Sequence, residues 1–362
     1  MTSGCSRPAS LKRKRSVSWL TRTKGGCHPL GRAAQEAHRT VTLNILWVSF
    51  FVPTIVTITA NTALDHVLAV DRFAPGSRLS LMAETESIGG KGSLVSAFAV
   101  DLGVRSVALG LAAGENGRRL AKLLKARSVV TDFSPAEGET RRIVVVVERS
   151  GHRQTWLVPQ TLYATAKGIR HLRERMVRWL RNSSWLVLSG SLSPGCSARL
   201  YHTLTHQAHA CGARVLIDAS GPPLKYALEG KPDVVKLNRQ ELEQTVGRRI
   251  PNIYSLVARL RRFVNQGAEL AVCTLGADGA VATCRDRAWR CIPPRIAAGS
   301  SAGSGDAFTA ALLTAREQGA DWQEALRWGT AVGTAKALEE VTDRFDLEAA
   351  HLLLRRAVLK IL

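Results

Sequence analysis

The sequence predicts an α/β domain in which helices flank a mostly parallel β-sheet. From Thr54 onward, short apolar runs alternate with longer amphipathic stretches, and no Pro/Ser-rich linker interrupts them. Several apolar runs end in polar, glycine-rich segments, as strands do at the ligand-binding edge of an open parallel sheet. The chain has 362 residues, of which 45% are hydrophobic and 22% charged, so it is long enough to bury one large core.

Eight short apolar runs have the composition and length of strands. They cover residues 54–59, 104–110, 142–147, 185–189, 214–218, 233–236, 270–274 and 279–284. Helices are predicted between many of these strands, over residues 92–102, 117–126, 167–180, 198–210, 239–246 and 255–266.

Two stretches, residues 66–87 and 141–158, interrupt this alternation. They contain strand-like sequence separated by turns, with few helix signals. We therefore predict a small β-sheet that projects from the core and is built from about residues 60–88 and 141–158.

The first 40 residues differ in composition from the rest of the chain. They contain nine Lys or Arg residues and one acid, a net charge of +8, whereas the whole chain carries +21. No face that combines aromatic and basic residues follows the basic run at residues 12–15, so no nucleic-acid partner is expected. We predict that residues 1–53 form a disordered or non-native extension and that the folded domain covers residues 54–362.

Residues 41–60 contain no charged side chain, so a membrane anchor is an alternative for this run. Pro53 divides the run, however, and residues 54–59 alternate Thr with Ile or Val, which favours a strand. No membrane partner is therefore expected. The seven cysteines are scattered without a C-x-x-C pair, which favours reduced thiols and a cytoplasmic location.

The strongest chemical signal is Gly303-Ser304-Gly305-Asp306, which precedes an apolar helix. The glycines allow a tight turn, and the free N–H groups at a helix start favour a bound anion. A carboxylate beside that anion is unfavourable for binding alone. It suits a base that accepts a proton while the N–H groups stabilise a phosphoryl group. The alternative is an ordinary turn with Asp306 in the first helical turn.

A second glycine-rich segment, Gly89-Gly90-Lys91-Gly92, also precedes a predicted helix. Its glycines would let the backbone approach a polar ligand closely. The spacing of a Walker A loop is absent, and a simple turn is the alternative.

A third segment places Asn238 and Glu241 three residues apart, just after a predicted strand. On a helix they would share a face, and amide and carboxylate oxygens suit a hydrated Mg²⁺ ion. The alternative is a capping box, in which Asn238 is the N-cap and Glu241 occupies the third helical position.

Three further polar segments follow predicted strands, where an open parallel sheet binds its ligands. These segments are Ser189-Gly190-Ser191, Asp218-Ala219-Ser220-Gly221 and Thr274-Leu275-Gly276-Ala277-Asp278-Gly279.

The order of these motifs resembles the PfkB/ribokinase-type family of carbohydrate kinases, over about residues 54–345. The Ser-Gly-Ser-Leu and Asp-x-Ser-Gly segments are most similar to the branch that contains 1-phosphofructokinase and tagatose-6-phosphate kinase. The resemblance implies a ribokinase-like three-layer core, with the small β-sheet acting as a lid over the sugar. The matching motifs are Asn61…Asp65, Gly89-Gly90-Lys91-Gly92, Thr140-Arg141, Ser189-Gly190-Ser191, Asp218-x-Ser220-Gly221, Lys236-x-Asn238-x-x-Glu241, Thr274-Leu275-Gly276 and Gly303-x-Gly305-Asp306.

The resemblance also implies a role for each motif. Asp306 matches the family's catalytic base. The family's anion hole for the transferring phosphate is matched by Gly303, Ser304 and Gly305. The metal motif, tied to Mg²⁺ largely through water, matches Asn238 and Glu241. ATP-binding positions match Lys236, Asn238, Thr274, Gly276 and Gly279. Sugar-binding positions match Asn61, Asp65, Gly90 and Lys91, and the positions that hold the substrate's existing phosphate match Arg141 and Ser191.

The chain departs from the family pattern mainly where the sugar would bind. Leu94 and Ile143 stand where the family commonly has Asn, so two contacts to sugar hydroxyls are altered. Thr62 and Leu237 replace family prolines, and Ser304 replaces the usual Ala. These changes put the substrate's identity in question more than the reaction type, because an unpaired polar group in a site changes selectivity strongly.

Together these observations predict an ATP-dependent, Mg²⁺-dependent kinase of a ketohexose phosphate, such as fructose 1-phosphate, fructose 6-phosphate or tagatose 6-phosphate. A homodimer through the lid is a further expectation. Two alternatives stay open. A kinase of an unphosphorylated sugar or nucleoside would need no second phosphate clamp at Arg141 and Ser191. A non-catalytic sugar or nucleotide sensor is favoured by Leu94 and Ile143 but opposed by Asp306 and Glu241.

Overall fold

The structure is a computed structural model and describes residues 54–151 and 153–362. The predicted extension over residues 1–53 lies outside these residues. The described strands are β1 Thr54–Thr59, β2 Ala63–Val70, β3 Ala83–Gly89, β4 Arg105–Ala112, β5 Val130–Thr131, β6 Ser134–Pro135, β7 Glu137–Gly138, β8 Arg141–Glu148, β9 Arg153–Leu157, β10 Leu162–Tyr163, β11 Trp185–Ser189, β12 Arg214–Asp218, β13 Val234–Asn238, β14 Leu270–Thr274, β15 Ala280–Thr283, β16 Ala288–Ile292 and β17 Val358–Ile361.

Ten α-helices are described between and after these strands, together with one 3₁₀ turn at Gly276–Asp278. The helices are α1 Lys91–Asp101, α2 Gly114–Ala126, α3 Ala166–Leu180, α4 Leu200–Ala210, α5 Gly221–Glu229, α6 Arg239–Val246, α7 Ile253–Asn265, α8 Ser304–Glu317, α9 Trp322–Lys336 and α10 Leu347–Arg356.

The main sheet has eleven strands, and its central part is parallel. Strands β14, β13, β12, β11, β1, β4 and β5 follow one another across it, each parallel to its neighbour. Strands β15, β16 and β17 extend one edge in antiparallel fashion. The predicted α/β class with a mostly parallel sheet is therefore confirmed.

Helices cover both faces of this sheet. Successive side chains of a strand point to opposite faces, and in the central strands the side chains on both faces are apolar. In β11, Trp185 and Val187 pack with α1, α8 and α9, whereas Leu186 and Leu188 pack with α3, α4 and α7. These two hydrophobic clusters form the three-layer core that the family resemblance implied.

A separate four-stranded sheet has the order β3-β2-β8-β9. Strands β2 and β8 are parallel, and the outer pairs are antiparallel. Its own small cluster contains Ala63, Val67, Ile143, Val145 and Val147. A small sheet is therefore present in the residues where one was predicted; its role as a lid stays a prediction, and the word lid below names this sheet only. Strand β3 ends and strand β8 begins beside the site described below.

The uncharged run at residues 41–60 ends in a central strand of the main sheet. Residues Thr54–Thr59 form β1, which is buried between β4 and β11. The rest of the run, up to residue 53, lies outside the described residues. Within the described part of the chain, every helix is too short or too polar to cross a membrane.

The turn between β14 and β15 depends on a glycine. Gly279 has φ of +87°, and a Cβ atom there would lie 1.9 Å from the carbonyl oxygen of Cys291 in β16. Gly276, in the same turn, has φ of +61° but has open space around its Cα. Both glycines have a positive φ, but Gly279 combines it with ψ of −132° and a backbone clash, whereas Gly276 has steric room.

We expect Gly279→Ala to lower the free energy of unfolding by on the order of 3 kcal/mol or more, because positive φ and a backbone clash act together. The matched control Gly276→Ala should cost about 1–2 kcal/mol, the cost of the left-handed conformation alone. Urea unfolding of both variants measures the difference, and equal losses would contradict this account of the turn.

Candidate functional site

Polar side chains end four neighbouring parallel strands of the main sheet. Ser189, Asp218, Asn238 and Thr274 are the last residues of β11, β12, β13 and β14. The register aligns Ser189 with Asp218 and Asn238 with Thr274. The structure therefore brings the predicted polar strand ends together at one edge, which is where an open parallel sheet binds ligands.

The buried carboxylate of Asp218 joins two lysines at this edge. Its Oδ1 atom lies 2.9 Å from Lys91 Nζ, and its Oδ2 atom lies 2.7 Å from Lys236 Nζ. Lys91 also lies 2.7 Å from Glu241 Oε1. Burial alone would raise the pKa of Asp218, but the two ammonium groups outweigh burial and lower it. Asp218 thus stays charged and holds both lysines in place.

Lys91 lies at the start of α1; its side chain is one-third exposed, and its ammonium contacts the carboxylates of Asp218 and Glu241. Burial would lower the pKa of Lys91, but Asp218 and Glu241 reverse this and raise the pKa well above its usual range. The residue predicted to bind sugar is therefore a permanent cation at the centre of the site.

Asp306 lies in the first turn of α8 and is 6% exposed. Helix α8 begins after Gly303, whose φ of +76° is left-handed and whose Cβ would lie 2.3 Å from Thr342 O. Only glycine fits there. At this helix start Ser304 N donates to Ser301 O at 3.2 Å and Asp306 N donates to Gly303 O at 3.1 Å, whereas the N–H groups of Gly303 and Gly305 have no hydrogen bond within the described residues. The predicted base and anion hole are therefore adjacent.

The protonation of Asp306 is set mainly by burial, which raises its pKa to about 7. The negative charges of Asp218 and Glu241 raise it further, whereas Lys236 and Lys91 lower it. A carboxylate that titrates near pH 7 can both accept and release a proton under working conditions.

Lys236 connects the charged cluster to the anion hole. A Cβ atom on Gly305 would lie 3.0 Å from Lys236 Nζ, so this ammonium lies over the second residue of α8. A positive charge beside free helical N–H groups strengthens their attraction for a phosphoryl group.

Asn238 and Glu241 form the capping box that was the alternative to a metal site. Asn238 Oδ1 accepts a hydrogen bond from Glu241 N at 2.8 Å, and Glu241 Oε2 accepts one from Asn238 N at 2.8 Å. The described residues contain no group of three or more His, Cys, Asp or Glu that could hold a metal ion. The other oxygen of Glu241 faces Lys91, so any hydrated cation here would be held by few protein ligands.

Asp65 lies on β2, the lid strand that leaves β1, and is 3% exposed. Its Oδ1 atom is buried without a hydrogen-bond partner in the described part of the chain. Burial, together with the charges of Asp306 and Asp343, raises the pKa of Asp65 to about 7, although hydrogen bonding with Thr342 and the charge of Arg141 act in the opposite direction. This orphan acceptor suits a ligand hydroxyl group, as the sugar-binding prediction requires.

Asn61, Ser191 and Arg141 form a second polar group beside Asp65. Asn61 Nδ2 donates to Ser191 Oγ at 3.3 Å, and Asn61 Oδ1 is buried without a partner. Arg141 Nη2 donates to Asn61 O at 2.5 Å, and its Nε donates to Thr62 O at 3.4 Å. The backbone thus occupies one edge of the guanidinium, and none of these bonds uses Nη1.

The residues predicted to bind ATP make fewer contacts with one another. Thr274 pairs in register with Asn238, and its hydroxyl donates to Leu237 O at 3.5 Å. Gly276 and Gly279 lie in the next turn and make no side-chain contact, as glycines cannot. Their role in binding ATP stays a prediction.

Several residues of the candidate site were not singled out from the sequence. Asp218 was noted only as part of a strand-end segment, although it organises the charged cluster. Thr342 and Asp343, in the loop after α9, reach the lid: Ile88 N donates to Asp343 Oδ2 at 3.2 Å, and the Ser87 and Thr342 hydroxyls lie 2.7 Å apart. Sequence spacing carried no signal for these contacts, which join residues 255 positions apart.

Comparison with known proteins supplies the context for this site. The profile of the pfkB family of carbohydrate kinases matches residues 55–348 of this chain. A 1-phosphofructokinase of Xanthomonas campestris pv. campestris is 33% identical over 264 residues, which are 72% of this chain and 83% of that protein. The ATP-dependent 6-phosphofructokinase isozyme 2 of Escherichia coli K12 is 29% identical, over 80% of this chain and 94% of that protein.

Solved structures agree with the fold. The crystal structure of phosphofructokinase-2 from Escherichia coli in complex with potassium has a TM-score of 0.78 and 27% sequence identity, and the match covers 84% of this chain and 99% of that chain. Arabidopsis thaliana ribokinase complexed with ribose and ATP is 18% identical with a TM-score of 0.68, which is a likeness of fold.

The raised pKa of Asp306 gives a stability prediction. A carboxyl group with a pKa near 3.9 in the unfolded chain and about 7 in the fold costs stability as pH rises from about 4 to 7. Asp306→Asn should therefore be more stable than the wild type at pH 8, by on the order of 2 kcal/mol. The advantage should shrink as pH falls through 7 and vanish near pH 4.

Denaturant unfolding at several pH values measures this difference. The exposed carboxylate of Asp278 provides a control, because Asp278→Asn should leave the pH dependence of stability unchanged. Lower stability of Asp306→Asn at pH 8 would show that the Asp306 charge is not a cost to the fold.

Proposed function

The chain belongs to the pfkB family of carbohydrate kinases, and from this premise we propose that it transfers the γ-phosphoryl group of ATP to a hydroxyl group of a ketohexose phosphate. Fructose 1-phosphate, fructose 6-phosphate and tagatose 6-phosphate are the candidate substrates. The observation that carries the proposal is the buried carboxylate of Asp306 at the start of α8, beside the ammonium groups of Lys91 and Lys236.

In the proposed reaction Asp306 accepts the proton of the attacking sugar hydroxyl. The hydroxyl oxygen forms a bond to the γ-phosphorus, the bond from that phosphorus to the β,γ-bridging oxygen breaks, and ADP leaves with the bond's electron pair. The N–H groups after Gly303 and the ammonium of Lys236 stabilise the charge on the transferring group. Most of the rate would come from this positioning and charge stabilisation.

A magnesium ion bound with ATP would neutralise charge on the phosphates. Asn238 and Glu241 offer oxygen atoms to a hydrated ion, and the carboxylates of Glu241 and Asp218 already attract the Lys91 ammonium. Both Asn238 and Glu241 are committed to the capping box, so water would supply most of the ligands.

Asp65, Asn61, Arg141 and Ser191 would bind the sugar phosphate. The unpartnered oxygens of Asp65 and Asn61 would accept hydrogen bonds from sugar hydroxyls. The free edge of the Arg141 guanidinium and the Ser191 hydroxyl would hold the phosphate already on the substrate. Leu94 and Ile143 are buried in apolar clusters, so the pocket would have apolar walls where the family commonly has Asn.

The lid would also support a homodimer. Its strands and the residues beside them expose large apolar side chains, namely Leu81, Met82, Trp156, Leu157 and Val158. Such side chains are typical of a surface that another protein covers. We propose a second copy of this chain as that protein.

A reducing compartment, and hence the cytoplasm, is the proposed location. Five cysteines lie in the described residues, and all five are free. Burial raises the pKa of Cys273 to about 12, so its thiol is inert.

Replacing the base tests the reaction. Asp306→Asn should lower kcat by about 10²–10⁴-fold, because an amide cannot accept the proton. The dissociation constant for ATP, measured by calorimetry, should change little. A variant with near-normal kcat would show that another group accepts the proton.

Replacing Arg141 separates a phosphosugar kinase from a kinase of unphosphorylated sugars. Arg141→Ala should raise KM for the phosphosugar by at least ~10-fold, because charged hydrogen bonds to a phosphate are lost. KM for ATP should hardly move. The neighbouring Arg142 is 44% exposed and pairs with Glu86, so Arg142→Ala is a matched control that should leave both KM values unchanged.

Kinetics with each phosphosugar and with its unphosphorylated parent complete this test. A selective loss toward the phosphosugar supports the proposal. An equal loss toward both would favour a kinase of an unphosphorylated sugar.

A further inference from the structure

Lys336, at the end of α9, is a lysine without any solvent exposure. Its one hydrogen bond within the described residues is a 3.4 Å contact from Nζ to the carbonyl oxygen of Glu339. The charged groups that face it are Glu339, Asp343 and Asp306. A buried ammonium with so few partners is rare, because burial removes water without replacing its hydrogen bonds.

The Lys336 side chain lies directly behind the proposed anion hole. A Cβ atom on Gly303 would lie 3.4 Å from Lys336 Cε. The same loop is held by the chain that follows Lys336: Gly299 N and Ser300 N donate to Ala337 O at 2.8 and 3.2 Å. The Lys336 ammonium is therefore next to the loop that begins α8, close to Gly303, whereas Lys236 approaches the same helix start at Gly305.

The charge of Lys336 costs the fold stability. Burial lowers its pKa to about 8, although Glu339, Asp343 and Asp306 act in the opposite direction. An apolar side chain of similar length would fill the same space without this cost. A fold that keeps such a charge beside a reactive site commonly uses it there.

We propose that Lys336 is a positioning residue whose ammonium acts as a built-in monovalent cation of the anion hole. It fixes the Gly303 loop and offsets the negative charge that gathers at the start of α8 when Asp306 ionises and a phosphoryl group is bound. The inference rests on the proposed phosphoryl transfer. It adds a third cation, behind the helix start, to the two that face the site.

The alternative is a lysine that only fills space and ties α9 to the following loop. A purely structural lysine predicts that its loss lowers stability and that activity follows the fraction of folded protein. If the charge is functional, its loss should instead leave the stability equal or higher while kcat falls, because a buried charge costs folding free energy but serves the reaction.

Lys336→Met tests these alternatives, because methionine has a similar length and no charge. In the intact chain, kcat at pH 7 should fall by at least ~10-fold, in line with the loss of other anion-stabilising groups. KM for ATP and for the phosphosugar should stay within about threefold, since Lys336 is fully buried and is not among the residues proposed to bind either ligand. The unfolding temperature should be equal to or above that of the wild type.

The pH profile gives a readout that a structural role would not move. In the wild type, kcat should rise through about pH 7 as Asp306 ionises and fall through about pH 8 as Lys336 loses its proton. Lys336→Met should keep the rise and lose the fall. A wild-type profile that stays flat above pH 8, which needs no variant, would overturn the proposal.

Chemical rescue tests whether the missing element is a cation. Lys336→Ala should recover part of its kcat with methylammonium or potassium chloride but not with choline chloride at equal ionic strength. The wild type should not respond. Lys336→Met should not respond either, because methionine fills the space. No recovery in Lys336→Ala would count against the proposal.

A binding measurement separates this inference from the proposed function. ADP with fluoroaluminate, an anionic mimic of the transferring phosphoryl group, should raise the unfolding temperature of the wild type. This rise should shrink in Lys336→Met, while the rise with ATP alone persists. Absence of turnover with every phosphosugar would refute only the proposed substrate class. A fluoroaluminate effect and a kcat in Lys336→Met that both match the wild type would refute the role of Lys336.

Discussion

The site depends on one buried interaction, the carboxylate of Asp218 held between Lys91 and Lys236. The side chains of Asp218 and Lys236 are buried and that of Lys91 is one-third exposed, so removing Lys236 would leave uncompensated buried charge on Asp218. They come from β12, β13 and the start of α1, and they therefore also fix the relative position of these elements. Because Lys236 reaches the start of α8, the same interaction sets the electrostatic environment of Asp306.

A second set of contacts joins the lid to the anion hole. The loop after α9 presses Thr342 O against Gly303 and also binds Ser87 and Ile88 of β3 through Thr342 and Asp343. On the other side of the lid, Gln154 of β9 donates to Ser300. The four-stranded sheet and the Gly303 loop, which is proposed to bind phosphate, thus share partners, so a shift of this sheet would change the contacts at the start of α8. This coupling suits a reaction that must exclude water until the sugar is bound.

The sequence predicted the central fold well because local pattern determines it. The helix at 239–246 agrees with α6, and strand β1 appears at 54–59, since composition and caps specify both. Helix α5 was missed because Pro222 and Pro223 suggest a break, although Pro is tolerated in the first turn. The roles of Asp218 and Lys336 could not be predicted, because they arise from contacts between distant segments. From sequence alone, Lys336 would be expected to be exposed to solvent, as most lysines are; only the packing of α9 shows that it is fully buried.

The departures from the family pattern have a structural logic. The groups proposed for chemistry stand on strand ends and a helix start, where buried charges and backbone geometry hold them rigidly. Of the groups proposed for sugar selection, Asp65 stands on β2 and Arg141 on β8, whereas Leu94 and Ile143 lie in apolar clusters. Neither Leu94 nor Ile143 takes part in the ion pairs of Lys91, Asp218 and Lys236, so under the proposed function their replacement of Asn would alter the contacts to sugar hydroxyls without changing those ion pairs. Substrate selectivity can therefore change through the residues proposed to bind the sugar, while the residues proposed for phosphoryl transfer stay the same. For this reason the sequence specifies the type of reaction more closely than the identity of the sugar.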